Sequence, residues 1–342
     1  MNSLSVAVIG PYHSGKTTLV NKLQQKLGAE GDVSFFSFKY GGKNITLMDT
    51  PGDTDSPVLM ASVLSVADAM IFCISPDVGI TFQVGEIVVL ADTLKLGKGI
   101  VCITKTDMST TQEIDALKAK LKALLKSTSM ESMELFEMNI YDDQKIADMR
   151  AKLSNLPYES EMITRPFKFA VDHAFESKGM SVAIGTVISG KIAVHGDAVL
   201  TPDPFTKEVN VNGIQINQED VQSTEAGDRA GVSIKGVWPW DLPRGTELRQ
   251  PKTYKDVKSG KLQIKLSKLY KQDIQDDTKL NLICNWQNCT LTLNNVKKEN
   301  DKISADFESD KNFVFDKYDK MVLVNKDLPI RMLRVVGYPE IL

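Results

Sequence analysis

One octapeptide constrains the fold more than anything else in the chain: Gly10-Pro11-Tyr12-His13-Ser14-Gly15-Lys16-Thr17. The run before it, Leu4 to Ile9, is apolar and β-branched enough for a buried strand, and the run from Thr18 to Leu27 has helical patterning. A phosphate-binding loop needs that strand–loop–helix setting. Its glycines let backbone N–H groups close around phosphate oxygens at the positive end of a helix. Gly10, Ser14, Gly15, Lys16, Thr17 and Thr18 are the expected phosphate-binding residues. Lys16 supplies a point charge to the β- and γ-phosphates, which makes it also a catalytic candidate, and the Thr17 hydroxyl is a candidate Mg²⁺ ligand. A nucleoside triphosphate is the ligand this spacing predicts.

Two later motifs narrow the nucleotide. The apolar run Asn44 to Met48 ends in Asp49-Thr50-Pro51-Gly52. A strand-end Asp49 can hold Mg²⁺ through water, and the Gly52 N–H can approach a γ-phosphate. A second apolar run, Ile100 to Ile103, ends in Thr104-Lys105-Thr106-Asp107. A carboxylate at Asp107 can accept both N–H donors on the guanine edge. Adenine lacks them and would leave Asp107 buried and unpaired. The Lys105 stem can lie over the base plane. GTP or GDP with Mg²⁺ is therefore expected.

The first 163 residues alternate strand and helix patterns. Strands are predicted at 4–9, 33–39, 44–48, 69–74, 99–103 and 133–138, and helices at 16–27, 82–96, 110–127 and 142–154. From 164 onward, short β-branched runs alternate with Gly, Pro, Asn and Asp turns. The patterning predicts an α/β P-loop domain with a mostly parallel sheet, followed by two small antiparallel β domains, barrels or sandwiches. The expected divisions are 1–163, 164–249 and 250–342. The 342 residues are 42% hydrophobic and 25% charged with a formal net charge of −3, which speaks against a DNA-coating protein. No stretch is long and apolar enough for a membrane span, and a cytoplasmic setting is expected. Cys73 and Cys102 sit in apolar runs as packed thiols, and Cys284 and Cys289 lack zinc-ligand spacing.

The order of these motifs resembles the translational GTPases of the EF-Tu type, which implies an α/β P-loop GTPase domain followed by two antiparallel β-barrel domains. The second region adds Val171-Asp-His-Ala-Phe175, Gly185-Thr-Val-Ile-Ser-Gly190-Lys191, Ala226-Gly-Asp-Arg229 and Arg244-Gly245. Gln83-Val-Gly-Glu86, the ITKTD at 103–107 and Leu333-Arg-Val-Val-Gly337 are similar to SelB-like elongation factors in particular. The resemblance implies GTP hydrolysis and delivery of an aminoacyl-tRNA to the ribosome by a monomer. It implies that Asp172, Phe175 and Arg229 border the aminoacyl pocket. A guanine contact of the fifth motif falls near Asn139. Two other readings stay open: a non-cycling paralogue that holds guanine nucleotide and a partner, and an initiation-type tRNA carrier.

The chain departs from the family pattern at four places. The loop reads GPYHSGKT where the family has GHVDHGKT, and His13 is equally a phosphate-side or a solvent-facing residue. Asp53 stands where the family has the His that orients the attacking water, which predicts slow or impaired hydrolysis. The segment 28–32 is short, and no Thr occurs between Thr18 and Thr46 to report the γ-phosphate. Thr104 replaces the common Asn.

Two surface features complete the reading. Lys252, Lys255, Lys258, Lys261, Lys265, Lys268 and Lys271 form a basic stripe. A solvated, protective strand edge is the expected role, with tRNA phosphate contacts at Lys261, Lys265 and Lys268 as the alternative. Trp238-Pro239-Trp240 could stack a nucleobase, but packing inside a barrel is expected.

Overall fold

The apolar runs of the first region become strands because each is covered on both faces. The computed structural model describes residues 3–24, 32–50, 57–157, 161–299 and 302–342. In chain order the elements are β1 (Ser3–Ile9), α1 (Lys16–Leu23), β2 (Ser34–Tyr40), β3 (Lys43–Asp49), α2 (Pro57–Val66) and β4 (Ala69–Ile74). They continue with α3 (Phe82–Thr93), β5 (Gly99–Ile103), α4 (Thr111–Leu125), β6 (Glu134–Glu137) and α5 (Asp143–Ser154). The sheet order is β2-β3-β1-β4-β5-β6. Only the β2–β3 hairpin is antiparallel; β1 is parallel to β3 and β4, and β5 to β4 and β6. All parallel strands therefore end on one edge, where ligands of such sheets collect. Val6, Val8, Ile71 and Cys73 from the sheet pack with Leu19 and Leu23 of α1 and Met149 and Leu153 of α5.

Two helices differ from expectation. α1 stops at Leu23, with Gln24 extended, rather than running to residue 27. Arg150 of α5 takes its open end: the guanidinium donates to the Leu23 carbonyl at 3.1 Å and the Lys22 carbonyl at 3.0 Å. Such a cation satisfies terminal carbonyls and complements the negative helix end. α2 has no counterpart among the predicted helices. Eight of its ten residues are buried, so it is apolar all round and leaves no amphipathic period to read.

The second region opens with α6 (Glu161–Thr164) and carries β7 (Lys168–Ser177), β8 (Met180–Ser189), β9 (Lys191–Ala193), β10 (Asp197–Thr201) and β11 (Lys207–Ile216). β12 (Glu219–Val221), β13 (Ser223–Glu225), β14 (Arg229–Ile234) and β15 (Glu247–Arg249) follow. Seven strands run in the order β10-β15-β7-β8-β14-β11-β12, and a β10–β11 pairing closes them around Phe169, Val187, Val211 and Leu248. The third set is β16 (Lys255–Leu266), β17 (Lys279–Cys284), β18 (Gln287–Glu299), β19 (Lys302–Phe315), β20 (Met321–Val324) and β21 (Val335–Ile341). These form a closed barrel, β16-β19-β18-β17-β20-β21.

Barrel closure corrects the expected role of the lysine stripe. β16 pairs with β19 on one side and β21 on the other, so it is not an edge strand. Leu262 and Ile264 point inward while Lys261 and Lys265 are exposed on the outer face. Lys261 sits opposite Asp306, whereas Lys265 sits opposite Lys302, a like-charge pair that a protective edge does not require. The expected barrel packing of Trp238 and Trp240 also fails. Val237 and Leu242 fill the core on either side of the Pro239–Asp241 turn, and both indoles face solvent.

The chain forms two compact units, Met1–Tyr158 with Lys326–Val335, and Glu159–Asn325 with Val336–Leu342. Within the first, the Glu86 carboxylate on α3 accepts from the Arg334 backbone N–H at 2.9 Å and from its guanidinium at 3.1 and 2.5 Å. Within the second, a buried charge network bridges the two sets of β strands. Lys168 Nζ lies 2.5 Å from Asp319 Oδ1 and 2.8 Å from Asp316 Oδ2. Arg249, only 1% exposed, reaches Asp319 at 3.0 Å, Asp316 at 3.2 Å and also Glu247. Asn285 donates to Asp319 at 2.6 Å and Gln287 to Glu247 at 3.0 Å. Burial alone would raise the Asp319 carboxyl, but Lys168 and Arg249 outweigh it and hold it well below the usual carboxylate range.

Candidate nucleotide-binding site

The predicted phosphate loop lies between β1 and α1. Gly10 has φ 155° and Gly15 φ 80°. A Cβ at Gly10 would collide with the Cys73 carbonyl, so the loop requires glycine there for space as well as conformation. Gly15 occupies the N-cap of α1, and no side-chain cap and no acid in the first turn satisfy the helix start among the described residues. Its first N–H groups and positive end are left available for an anion. His13 is exposed, left-handed at φ 60°, with its ring against Tyr12. Thr17 and Thr18 are exposed in the first turn.

Lys16 folds back over the loop. Its buried ammonium donates to the Gly10 carbonyl at 2.9 Å and the Pro11 carbonyl at 3.0 Å. Burial pushes its pKa below the ordinary lysine value. Thr17 Oγ1 donates to Asp49 Oδ2 at 2.9 Å. Burial raises the Asp49 carboxyl, against the opposing pull of Thr17 and Lys16. Asp49 Oδ1 and Ser14 Oγ are buried with no hydrogen-bond partner among the described residues. Orphaned buried oxygens of this kind call for an explanation. A hydroxyl and a carboxylate already in contact, next to a desolvated ammonium, are the oxygen donors and counter-charge that a magnesium triphosphate needs. Gly52 and Asp53 lie outside the described residues, as do residues 28–31 of the short segment.

The third motif meets the loop from β5. Thr104 is buried, and its hydroxyl lies 2.6 Å from the Ser14 carbonyl and 3.3 Å from that of Ile74. The substitution for Asn is therefore structural: the hydroxyl fixes the phosphate loop to the base-side strands. Lys105 adopts φ 55° and its ammonium lies 2.7 Å from Asp77, a partner that the sequence reading did not include. Against the effect of burial, hydrogen bonds from Lys105 and Ser75 hold the Asp77 carboxyl below its usual value. Asp107 is exposed at the 3-10 turn Thr106–Met108, where its carboxylate is accessible to a base. Asn139 follows β6 on the same sheet edge, and its Oδ1 accepts from the Tyr141 N–H at 2.9 Å. Lys16 and Thr17 at the start of α1, Asp49 at the end of β3, and Thr104, Lys105, Asp107 and Asn139 in the segments after β5 and β6 thus lie at the C-terminal ends of the parallel strands β1, β3, β5 and β6.

Two of the residues expected at an aminoacyl pocket are paired with each other. Phe175 is exposed on β7. Both Arg229 Nη atoms donate to the buried Asp172 carboxylate, Nη2 at 3.0 Å. The guanidinium fork therefore holds β14 to β7. Arg229→Ala is expected to lower stability by about 1.5–3 kcal/mol through the stranded carboxylate. An unchanged urea midpoint would show that Asp172 is rehydrated without cost.

Comparison with known proteins agrees with this geometry. The elongation factor Tu GTP binding domain family matches residues 30–191; the phosphate loop itself precedes the matched stretch. The selenocysteine-specific elongation factor of Methanocaldococcus jannaschii is 27% identical over 100% of this chain and 80% of its own length. An uncharacterized protein of the same organism is 24% identical over 98% of this chain and 99% of its length. The fold superimposes on translation elongation factor SelB of Methanococcus maripaludis, solved with the GTP analogue GppNHp, with a TM-score of 0.85 at 24% identity, over 99% of this chain and 79% of that one. Along its whole length the chain is similar to selenocysteine-specific elongation factors, and its residues 30–191 to the GTP binding domain of elongation factor Tu.

Proposed function

We propose that this protein is a GTP-dependent elongation factor that carries a specialised aminoacyl-tRNA to the ribosome, as a cytoplasmic monomer. The observation that carries the reading is one assembly: the Lys16 loop, Asp49 and Thr104–Asp107 on a single sheet edge, followed by two β domains, in a chain alignable end to end with a selenocysteine-specific factor. Gly10, Ser14, Gly15, Lys16, Thr17, Thr18 and Gly52 take the phosphates, Thr17 and Asp49 the Mg²⁺, and Thr104, Lys105, Asp107 and Asn139 the guanine side. The nucleotide domain extends to about residue 163, and the two β domains meet near 249. Among the described residues no helix is long and apolar enough to cross a membrane.

Asp53 in place of a water-orienting His makes hydrolysis slow, since a carboxylate adds negative charge where it already develops. Asp53→His is expected to raise the single-turnover rate by on the order of 10²-fold, the lower range for a positioned acid–base group. An unchanged rate in quenched-flow measurements would assign water positioning to another residue.

The aminoacyl end is read near Asp172, Phe175 and Arg229, and the acceptor arm lies on the exposed lysines of β16 and the turn after it. Phosphate contacts supply affinity and salt dependence, and a small pocket supplies selection. Filter binding in the GTP state, with charged and deacylated tRNA at several salt concentrations, tests this. Lys261, Lys265 and Lys268 changed together to Gln should flatten the salt slope by about two to three units. No binding to any tRNA at moderate salt defeats the carrier reading.

A further inference from the structure

Trp238 and Trp240 flank Pro239 in one 3-10 turn between β14 and β15. The turn is rigidly built. The Asp241 N–H donates to the Trp238 carbonyl at 2.9 Å, the Leu242 N–H to that of Pro239 at 3.1 Å, and the Trp238 N–H to the Asp241 carboxylate at 3.1 Å. Ser181 Oγ donates to the Val237 carbonyl at 2.7 Å, which ties the turn to β8. On this fixed backbone both indoles stand in solvent, 55% and 69% exposed. Their centroids are 4.9 Å apart and their planes differ by 8°. Two large apolar rings held stacked in water forgo a large burial gain.

The surroundings favour one kind of occupant. Among the described residues of 168–249, the exposed large hydrophobics are Phe175, Trp238 and Trp240, all flat rings and none aliphatic. Phe175 pairs across to Val182, the neighbour of Ser181, so it belongs to the same end of the β7–β8 hairpin. Exposed lysines flank the turn: Lys235 in sequence, and Lys207, whose ammonium lies 2.6 Å from the Gly236 carbonyl, while the Arg244 guanidinium is turned to the Asp172 carbonyl and the Trp286 ring. The turn's own acid, Asp241, is directed back onto the Trp238 N–H. Planar rings bordered by cations are the composition of a single-strand stacking platform.

We propose that the Trp238–Trp240 pair is a stacking platform for an unpaired nucleobase of an RNA. The site does not depend on the carrier reading: any RNA with an unstacked base and flanking phosphates is a suitable ligand. Trp240, the more exposed ring, receives the base, and Trp238 backs it.

The test uses the full-length protein with a short oligoadenylate and an abasic ribose-phosphate oligomer of equal length. Two of the three tryptophans are in the pair and the third, Trp286, is 3% exposed, so saturable fluorescence quenching by oligoadenylate, absent with the abasic oligomer, is the expected signal. In filter binding, Trp238→Ala with Trp240→Ala should cost about fivefold or more in oligoadenylate affinity and leave the abasic oligomer unaffected. Phe at both positions should retain most of the affinity. Equal binding of both oligomers by the unaltered protein, or unchanged affinity after both Ala changes, overturns the proposal. So does a sedimenting self-associated species that disappears in the Ala variant without any oligoadenylate quenching, which would assign the pair to protein contact. If the Ala variant does not fold, the two-oligomer comparison on the unaltered protein still decides. Loss of this signal with tRNA binding intact leaves the carrier reading standing, and the reverse result separates the two as clearly.

Discussion

Asp319→Asn lowers the stability of the second unit by about 3–5 kcal/mol, the range for breaking a buried ion pair from one side. Asp319 accepts from Lys168, Arg249 and Asn285 at once, so its neutralisation leaves two buried cations to share Asp316 and Glu247. Urea unfolding followed by fluorescence of the buried Trp286 measures the loss as a fall in midpoint at constant slope. The cycle with Lys168→Met should return part of it, because the second change removes one of the excess buried positive charges. The same network sets an acid limit. The folded Asp319 pKa is depressed, so its contribution is complete above the unfolded carboxylate value of about 3.9 and is lost as pH falls through the folded value. Glu247 runs the other way, because burial raises its carboxyl and its ionisation opposes the fold. The Lys168 pKa is raised against the effect of burial, chiefly by Asp319, so its contribution is present below about 10.4 and fades only as pH rises through its folded value. In Asp319→Asn the acid-side loss should shrink. A midpoint and an acid profile both unchanged would show that the network carries no net stability.

What the sequence made legible follows the reach of each signal. Lys16, Thr17, Asp49 and Thr104 were readable because each motif is a short spacing at a strand end, and a parallel sheet brings strand ends together. The β-branched and apolar runs gave all of the first six strands to within one residue of their ends. α2 escaped because uniform apolarity has no period. The Lys168–Asp319 contact escaped because 151 residues separate its partners, and no local pattern links them. The lysine stripe misled through topology rather than composition: exposed lysines on β16 look alike on an edge strand and on the outside of a closed barrel. The Trp238 turn misled because hydrophobicity predicts burial only as a tendency, and Pro239 with Asp241 fixes the rings outward.

Lys16→Met is expected to weaken Mg²⁺–GTP binding by about 10²- to 10³-fold, from the 2–5 kcal/mol lost when one partner of a buried, hydrogen-bonded charge pair is truncated. In the structure the ammonium is buried and held by two neutral carbonyls, Gly10 and Pro11. Neither balances its charge, and burial lowers its pKa. An arriving β/γ-phosphate supplies the missing anion, and the lysine gains more from it than an exposed one would, since the interaction is less screened. Two features of the titration calorimetry identify this mechanism. First, affinity in the unaltered protein should fall at alkaline pH earlier than an ordinary lysine would deprotonate, and this limb should vanish in Lys16→Met. Second, Thr17→Ala should behave differently. It removes the hydroxyl that contacts Asp49 Oδ2, so the Mg²⁺ dependence of GTP binding should weaken while nucleotide binding without Mg²⁺ is retained. Because burial raises the Asp49 carboxyl, that Mg²⁺ dependence should also begin to fade on acidification at a higher pH than an ordinary aspartate would give, as a protonated Asp49 no longer offers an anionic ligand. Full-strength GTP binding by Lys16→Met, with the alkaline limb intact, would move the phosphate site away from this loop.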